Sequence, residues 1–514
     1  MHIRSVLAAI TVLAAAPAMG QALRIGVPAD PSSIDPHFQD LAPNANVSRH
    51  VFNALVGTDG RSQLIPGLAT SWALTGDPTV WEVTLRPGVR FHDGTPFTAA
   101  DAAFSLRRSL VVPHAPGTVG RYVRDIVDIT ETGAGALRIR TREPSPILPN
   151  NLSNIAVVKA AIGMAAEPRD FNNGTFAVGT GPYRFVRWTP GAEVVLAAST
   201  EYWGGKAVWP EVRIRTLPNN GARVAALLAG DVDVIAALPT VDVARLRGDA
   251  KIAVWDSVAN RDVFWVMDTA RERTPHVTGR DGGAIANPFR DIRVREAVML
   301  AIDRRAIVAR IMDGLAVPAT QLVPIDMAGY DPSITLPEAD RTRARALLAE
   351  AGYPDGFKLT IHTTVGRYPN DQKQAEAVAQ MLSRIGIETL VASLPVAIFF
   401  GEARKHAFSF NLVSWGFSTG DTYVLVRETL HSNGVENYGG YINAEVDAAL
   451  DGARTQTDLV RRSGLIARAQ RVSLQDFALV PTHYQLNLWA SRRSLKVGTR
   501  MDEMTLAQDI VEQP

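Results

Sequence analysis

The side chains best suited to hold a small molecule are concentrated in one stretch of the sequence, residues 408–423. It begins with alternating apolar and polar residues, which predicts a half-buried strand. After Trp415 it becomes a glycine-punctuated loop with hydroxyl groups and one carboxylate. Loops at the ends of strands are where α/β proteins place recognition groups. The candidate residues of this loop are Trp415, Ser418, Thr419 and Asp421.

Other parts of the sequence offer little support for an enzyme or a metal site. There is no His-Glu-x-x-His motif and no phosphate-binding glycine loop. The 10 histidines form no cluster with metal-ligand spacing, and cysteine is absent. His92 adjoins Asp93, but the pair lies in a Pro/Gly turn, whereas metal sites need three or four converging ligands. We therefore expect no catalytic residue, no metal, no cofactor and no enzymatic activity.

The elements that surround the candidate loop are typical of the α/β fold class. Residues 212–235 alternate as strand, helix and strand, a βαβ-type unit. Residues 358–392 repeat this order with a strand, a helix striped by apolar residues and another strand. Near the N-terminus, a short strand at 23–27 runs into a proline-rich loop with exposed polar groups. Among them, Ser33 is a further candidate ligand-binding residue. The pattern predicts α/β structure in both halves of the chain.

Length and composition indicate a soluble globular protein with more than one lobe. A chain of 514 residues is too long for one simple core, so we expect two or three lobes. The 53 basic and 52 acidic residues give a formal net charge of +1. Because the charges balance so closely, we expect no nucleic-acid partner.

The first 20 residues predict a secretory signal peptide. Arg4 precedes an apolar run at 6–16, and Ala18-Met19-Gly20 places small residues at the outer positions of a cleavage site. The apolar run is too short to span a bilayer. Absence of cysteine removes the residue that a lipid anchor would require. We expect a soluble periplasmic protein that is not a lipoprotein.

Five stretches, spread over nearly the whole mature chain, resemble the extracytoplasmic solute-binding proteins of peptide-type ABC importers. This family, family 5, includes dipeptide-, oligopeptide-, glutathione- and nickel-binding proteins. The stretches follow the family's order, and the first is highly specific. They are Trp81–Arg108 (WEVTLRPGVRFHDGTPFTAADAAFSLRR), Gly179–Phe185 (GTGPYRF) with Tyr202-Trp203, Gly230–Ile235 (GDVDVI), Arg290–Ile307 (RDIRVREAVMLAIDRRAI) and Ala349–Phe357 (AEAGYPDGF).

The resemblance implies a two-lobed periplasmic-binding-protein fold of the class II type, with two crossings between the lobes. An extra subdomain is inserted in lobe I, and the lobes enclose the ligand by hinge closure. Mapped onto this sequence, lobe I comprises residues 22–50, 176–266 and 488–514. The inserted subdomain comprises 51–175, and lobe II comprises 267–487.

The resemblance also implies binding residues. In peptide binders of this family, an arginine after the strand equivalent to 358–362 pairs with the ligand carboxylate, and Arg367 matches its position. A guanidinium presents a planar fork that fits a carboxylate bidentately. Tyr368 and Trp415 would stack or pack against the ligand. In dipeptide and oligopeptide binders, an aspartate three residues after this tryptophan holds the ligand's α-amine, and here that position is Ser418.

At the position that binds the ligand amine, this sequence therefore departs from the family pattern, with Ser418 in place of an aspartate. A serine cannot supply the negative charge that a buried ammonium requires. Asp421 lies six residues after Trp415 and would substitute only if the loop folds differently. The Ser-Thr-Gly-acid order of residues 418–421 is closer to that of glutathione-binding members.

We expect a periplasmic receptor that captures a small peptide or peptide-like anion by lobe closure. It would act as a monomer and deliver the solute to ABC permease subunits in the inner membrane. One alternative keeps the fold but binds a non-peptide solute such as a metal chelate, an opine or a sugar. A more distant alternative is a hydrolase on this scaffold, because paired carboxylates meet in space rather than in sequence.

Overall fold

The computed structural model describes residues 22–133, 135–417 and 419–513. The predicted signal peptide and Ser418 lie outside the described residues. The strands are β1 (Leu23–Val27), β2 (Val56–Thr58), β3 (Leu64–Pro66), β4 (Ala69–Leu74), β5 (Val80–Leu85), β6 (Ile126–Glu131), β7 (Ala136–Thr141), β8 (Tyr183–Thr189), β9 (Glu193–Ala198), β10 (Glu211–Thr216), β11 (Val234–Ala236), β12 (Ile252–Met267), β13 (Val277–Thr278), β14 (Ala316–Pro318), β15 (Lys358–Thr364), β16 (Glu388–Leu394), β17 (Phe410–Gly416), β18 (Leu479–Arg492), β19 (Leu495–Val497) and β20 (Ile510–Glu512).

Helices connect many of these strands. They are α1 (Ala42–Val51), α2 (Ala99–Arg108), α3 (Leu148–Leu152), α4 (Pro168–Asn172), α5 (Asn220–Ala229), α6 (Thr240–Arg247), α7 (Ile292–Ala301), α8 (Arg304–Ala306), α9 (Arg341–Glu350), α10 (Asp371–Ser383), α11 (Val396–Arg404), α12 (Tyr423–Leu430), α13 (Ala444–Thr455) and α14 (Leu459–Gln475). Short 3-10 segments lie at Val119–Tyr122, Ala160–Ile162, Pro288–Arg290 and Ala507–Asp509, and α8 continues into a π-helical turn at Ile307–Ile311.

One large mixed sheet runs through the molecule. Its strand order, for the described residues, is β13-β15-β17-β12-β18-β11-β1-β10-β9-β8, with β14 beside β18 and β16 beside β15. β1 is parallel to β10 and β11, and β15 is parallel to β16 and β17. Parallel strands with helical connections are the mark of α/β proteins. The predicted α/β fold class is confirmed.

The strands β12 and β18 belong to both halves of this sheet. Residues 252–258 pair with 486–492 in the half formed by β11, β1, β10, β9 and β8, which we call lobe I. After a register shift between Val258 and Asp262, β12 pairs with residues 479–484 and with β17 in the other half, which we call lobe II. A register shift of this kind bends and twists a strand locally. These two strands are the crossings between the lobes.

A separate four-stranded antiparallel sheet forms the inserted subdomain. Its strand order is β4-β5-β7-β6, and α2 packs on it. The helix begins as its sequence predicts, because Thr98 and Asp101 form a reciprocal capping box. At the other end of α2, the fully buried Arg108 holds Asp35 through contacts of 2.6 and 2.9 Å. This ion pair fixes the loop after β1 against the subdomain.

Lobe II is a sheet covered on both faces. The neighbouring residues Phe264 and Trp265 of β12 point to opposite faces, since successive side chains of a strand alternate. Trp265 packs in a cluster with residues of α7, α9 and α10. Phe264 packs in a second cluster with residues of α12, α13 and α14. The strands of lobe II are therefore held rigidly, and the loops at their ends have fixed starting points.

Candidate functional site

The cleft between the lobes is formed where parallel strands of both lobes end. In lobe I, β1 ends at Val27 beside β11, which ends at Ala236. In lobe II, β15 ends at Thr364, shortly before Pro369 and Asn370. These ends and the segments that follow them line a cavity of about 570 Å³. Open α/β sheets bind ligands outside the carboxyl ends of their strands, so this cleft is the candidate site.

Most of the side chains that line the cleft are apolar. Lobe I and the crossing strand β18 provide most of them, and lobe II adds Met312, Leu315 and Pro369. An apolar lining favours ligands with hydrophobic surface, while a few polar groups set their orientation. The larger apolar lining residues include Val47, Leu238, Leu315, Leu486, Trp489 and Met504.

The basic residue in the cleft wall, Arg223, already uses its guanidinium in hydrogen bonds within the protein. Its guanidinium donates to the carbonyl oxygens of Leu217, Ala236 and Ala237 at 2.7–3.1 Å and to the Asn220 side chain at 2.8 Å. Burial lowers the pKa of Arg223 from its usual range. A ligand anion would have to break these bonds to reach it, so Arg223 shapes the wall and the turn after β11.

Arg367 and Tyr368 lie directly before the lining residues Pro369 and Asn370. The carboxylate of Asp371, the first residue of α10, accepts the backbone N–H groups of Arg367 at 3.0 Å and Tyr368 at 3.4 Å. An acid at a helix N-terminus is well placed for this, because the helix dipole stabilises it. The loop is thus held against the helix while the Arg367 side chain remains exposed.

The two predicted neighbours Arg367 and Tyr368 are in contact. The Arg367 guanidinium carbon lies 5.5 Å from the centre of the Tyr368 ring, within cation–π range. Tyr368 is buried, and its hydroxyl donates to the Ser414 carbonyl at 3.3 Å, which joins this loop to β17. Burial raises the pKa of Tyr368, so the phenol stays neutral. Within the described residues, no hydrogen bond or ion pair occupies the Arg367 guanidinium.

Trp415 is half-buried near the end of β17 and packs against the core cluster of lobe II. The loop that follows it contacts the inserted subdomain, because the Asn150 side chain donates to the Thr419 carbonyl at 3.0 Å. The predicted ligand residue Ser418 lies outside the described residues. Residues 416–420 also fit the pattern Gly-x-Ser-x-Gly, which occurs at the nucleophile of some hydrolases. The acid nearest to this pattern in the sequence, Asp421, forms an ion pair with Arg462.

Asp421 is part of a buried ion pair. Its carboxylate accepts from the Arg462 guanidinium at 2.5 and 3.1 Å, and both side chains are almost fully buried. It also accepts the Tyr423 backbone N–H at 3.0 Å at the start of α12. Both oxygens are therefore used to join the loop and α12 to α14. The structure does not bring Asp421 to the cleft wall.

Ser33 was expected to be exposed, but the structure holds its side chain inside the protein. It is buried, and its hydroxyl donates to the Asn172 side chain at 2.9 Å while accepting the Asp35 backbone N–H at 3.1 Å. Its neighbour Pro31, in contrast, lines the cleft. Arg367 and Tyr368 therefore adjoin the lining residues Pro369 and Asn370 but do not line the cavity themselves. Trp415 follows Ser414, which Tyr368 contacts, and the side chains of Asp421 and Ser33 are used internally.

Two charged residues that the sequence did not single out lie at this site. Glu503 lines the cleft, and its carboxylate lies 3.5 Å from Nε of Arg261 on β12. Arg261 is paired with Gly416 across β12 and β17. An added side-chain carbon on Gly416 would lie 2.9 Å from the Arg261 guanidinium. The tail that carries Glu503 has no motif, so only the fold reveals this juxtaposition.

In the described ranges, no helix has both the length and the apolar character needed to cross a bilayer. Within the same ranges, no three or more histidine and carboxylate side chains are grouped as metal ligands would be.

Comparisons with known proteins agree with the architecture. The family described as "Bacterial extracellular solute-binding proteins, family 5 Middle" matches residues 63–437, more than half of the chain. Di/tripeptide-binding protein 2 of Pseudomonas aeruginosa is 26% identical over 97% of this chain and 96% of its own. Heme-binding protein A of Haemophilus influenzae is 24% identical over 85% of this chain and 82% of its own.

The fold itself is also found among solved structures. HbpA2 from Haemophilus parasuis superposes with a TM-score of 0.84 at 22% identity, covering 96% of this chain and 100% of that structure. An alignment of this extent includes both lobes and the inserted subdomain. With the family match over the central residues, the chain belongs to the bacterial extracellular solute-binding proteins of family 5.

Proposed function

We propose that this protein captures a small peptide or peptide-like anion in the cleft between its lobes and delivers it to the permease of an ABC importer. The observation that carries the proposal is Arg367, an exposed arginine whose guanidinium has no hydrogen bond or ion pair within the described residues. It lies two positions before Pro369 of a mostly apolar cleft lined from both lobes. A carboxylate bound there would gain a bidentate, charge-assisted contact. The similarity to a di/tripeptide-binding protein over 97% of the chain supports a peptide ligand.

In this proposal the ligand is held by three kinds of contact. Arg367 pairs with its carboxylate, Tyr368 and Trp415 pack against its side chains, and the apolar wall removes further hydrophobic surface from water. Ser418 and Thr419, which follow Trp415 in the sequence, are kept as predicted polar contacts to the ligand. The lobes close over the ligand, which strengthens the ionic contact because water is excluded.

The predicted boundaries and location belong to the same proposal. Lobe I, predicted at 22–50, 176–266 and 488–514 and carrying the inserted 51–175, would move against lobe II, predicted at 267–487. Because residues 262–267 of β12 pair with β17 of lobe II, we place the bend of this strand at 258–262, a few residues before the predicted boundary. The first 20 residues would direct export to the periplasm, where the mature protein acts as a soluble monomer without a lipid anchor. It binds and releases its solute unchanged, without catalysis.

Arg367→Ala tests the proposal. Titration calorimetry of the wild type with a panel of di- and tripeptides should give saturable binding. The variant should bind the same peptides more weakly by roughly 2–5 kcal/mol, the usual cost of removing one partner of a desolvated ion pair. Hemin serves as a non-peptide comparison ligand in the same panel.

Arg384→Ala is the matched control for this test. Arg384 is also an exposed arginine of lobe II, but it follows the opposite end of α10. The 13-residue helix places it about 20 Å from the loop of Arg367. Its removal should leave peptide affinity unchanged. Equal affinity of the wild type and Arg367→Ala for every peptide that binds would refute the assignment of Arg367.

A further inference from the structure

The cleft wall contains one acid among its described lining residues, Glu503. The one base, Arg223, is occupied by backbone carbonyls, as described above. A ligand amine entering this mostly apolar cleft would lose its hydration and needs a carboxylate in exchange. This inference rests on the proposed function and identifies the group of the same site that binds the amine of the ligand.

The other acid expected near the ligand is unavailable. Asp421 is buried against Arg462, which contacts both of its oxygens at 2.5 and 3.1 Å. Moving Asp421 toward a ligand would leave the Arg462 guanidinium buried without its partner, which is strongly unfavourable. The position where peptide binders carry an aspartate is a serine in this sequence, Ser418. The amine must therefore find its counter-charge elsewhere.

Glu503 retains the capacity to accept an ammonium. Its side chain is 41% exposed, and its contact with Arg261 is 3.5 Å long, at the outer limit for a hydrogen bond. A tight bidentate pair would leave the carboxylate oxygens saturated, whereas this contact leaves most of their lone pairs free. An ammonium could bind without first breaking a strong internal bond.

The backbone around Glu503 holds it at the wall. The residue has a φ of +65°, a left-handed conformation that is uncommon outside glycine and is found at sites where the surroundings enforce it. On one side, the Asp502 carboxylate is bound by Arg500 at 2.8 Å. On the other side, the Thr505 backbone N–H donates to the Asn46 side chain at 2.8 Å. The segment is thus anchored on both sides of Glu503, which holds its backbone at the cleft wall.

We propose that Glu503 binds the ammonium group of the ligand, in the role that Ser418 cannot fill. The preferred ligand is then a zwitterion, with its carboxylate at Arg367 and its free amine at Glu503. Because the rest of the lining is mostly apolar, short peptides with apolar side chains are the class that fits best. Blocking the amine removes the charge that Glu503 recognises.

The test compares peptides with free and acetylated amines on the wild type and on Glu503→Gln. Suitable probes are Ala-Phe, Leu-Leu and Ala-Ala-Phe, each beside its N-acetyl form, measured by titration calorimetry. The wild type should bind the free forms at least tenfold more tightly. Glu503→Gln should lose tenfold or more on the free forms, keep its affinity for the acetylated forms within about twofold, and so lose the preference.

Glu512→Gln is the control, since it makes the same substitution at an exposed position of the C-terminal strand β20. It should retain the wild-type preference, and equal melting temperatures of all three proteins show that folding is intact. If Glu503→Gln still prefers the free amine, or if the wild type binds acetylated peptides equally well, the inference is overturned while peptide binding stands. If no probe of either form binds the wild type, the proposed function falls as well.

Discussion

Asp262 of β12 carries a carboxyl group whose oxygens make no well-formed hydrogen bond within the described residues. It is fully buried, and its neighbours across the sheet are Trp415 on β17 and Tyr484 on β18. The Tyr484 hydroxyl donates instead to the carbonyls of Gln321 and Val323 at 2.8 and 2.9 Å. Burial raises the pKa of Asp262 well above its ordinary value of 3.8, and the adjacent backbone N–H offsets this only in part.

We expect Asp262→Asn to stabilise the protein, and to do so more as the pH rises. Since the pKa in the folded state is raised, the unfolded chain loses this proton first. Below about pH 3.8 the carboxyl group is protonated in both the folded and the unfolded state, so its full contribution to the free energy of unfolding is present. It is lost with rising pH, by about 1.4 kcal/mol per pH unit, until the folded carboxyl also ionises. Melting temperatures at pH 4.5 and 7.5 should show a growing advantage for the variant.

Asp256→Asn provides the comparison for this measurement. Asp256 lies in the same strand, but its side chain is exposed and contacts Arg247 at 3.3 Å on the surface. Its substitution should change the melting temperature little at either pH, because surface pairs contribute little to stability. Parallel pH profiles for the wild type and Asp262→Asn would show that the buried carboxyl group does not govern this dependence.

At the residue scale, the sequence could predict local roles but not distant partners. Arg367 follows a strand and precedes a helix, and its exposure in such a loop is a local property. The roles of Asp421 and Ser33 depend on Arg462 and Asn172, which lie 41 and 139 positions away along the chain. Glu503 reaches the cleft for the same kind of reason. Such spatial neighbours are determined by how whole helices and strands pack together. A local sequence pattern cannot predict that packing.

At the element scale, periodicity and capping predicted much of the secondary structure. Thr98 and Asp101 have the spacing of a capping box in the sequence, and they form one at the start of α2. Residues 263–267 are an apolar run typical of a short buried strand, but they are the end of β12, which begins at Ile252. Its first half contains several partly exposed residues, so its apolar pattern is weak. It is a strand because it pairs with residues 486–492, more than 200 positions away, which explains why the sequence alone missed it.

The loop between β17 and α12 is fitted closely against lobe I and its inserted subdomain. Gly420 has a φ of +68°, and an added Cβ would lie 2.5 Å from the Ser62 carbonyl oxygen. The same turn is fixed by the Asn260 side chain, which donates to the Ser62 hydroxyl at 2.7 Å. A backbone oxygen held in this way cannot retreat easily. The close approach of this loop to the inserted subdomain therefore requires glycine at this position.

We expect Gly420→Ala to hinder closure of the lobes. The methyl group would force the loop away from Ser62, so peptide affinity should fall about tenfold, which corresponds to about 1.4 kcal/mol. The radius of gyration of the ligand-free protein should rise in small-angle scattering. Gly191→Ala imposes similar backbone strain, with a φ of +75°, but has no atom within 4 Å of the added carbon. If both variants bind peptide equally well, the close approach to Ser62 does not control closure.

At the scale of the whole molecule, few polar contacts of the described residues join the inserted subdomain to lobe II, apart from those of the crossing strands. The Asn150 side chain of the inserted subdomain donates to the Thr419 carbonyl of lobe II at 3.0 Å. An ion pair joins Glu143 of the subdomain to Arg454 of α13, and both side chains are about half exposed. We call these two contacts the clasp. Exposed pairs contribute little, so the clasp should bias the lobes toward closure without locking them.

Removal of the clasp should therefore open the ligand-free protein but not prevent ligand-bound closure. In the double variant Asn150→Ala and Arg454→Met, we expect a loss of roughly 1–2 kcal/mol from the closed state. The ligand-free radius of gyration should increase, and a saturating peptide should restore the compact value, because ligand binding adds its own free energy to the closed state. Arg305→Met, which breaks an exposed pair with Glu338 inside lobe II, should change neither value. A double variant that scatters like the wild type without ligand would show that the crossing strands alone set the angle between the lobes.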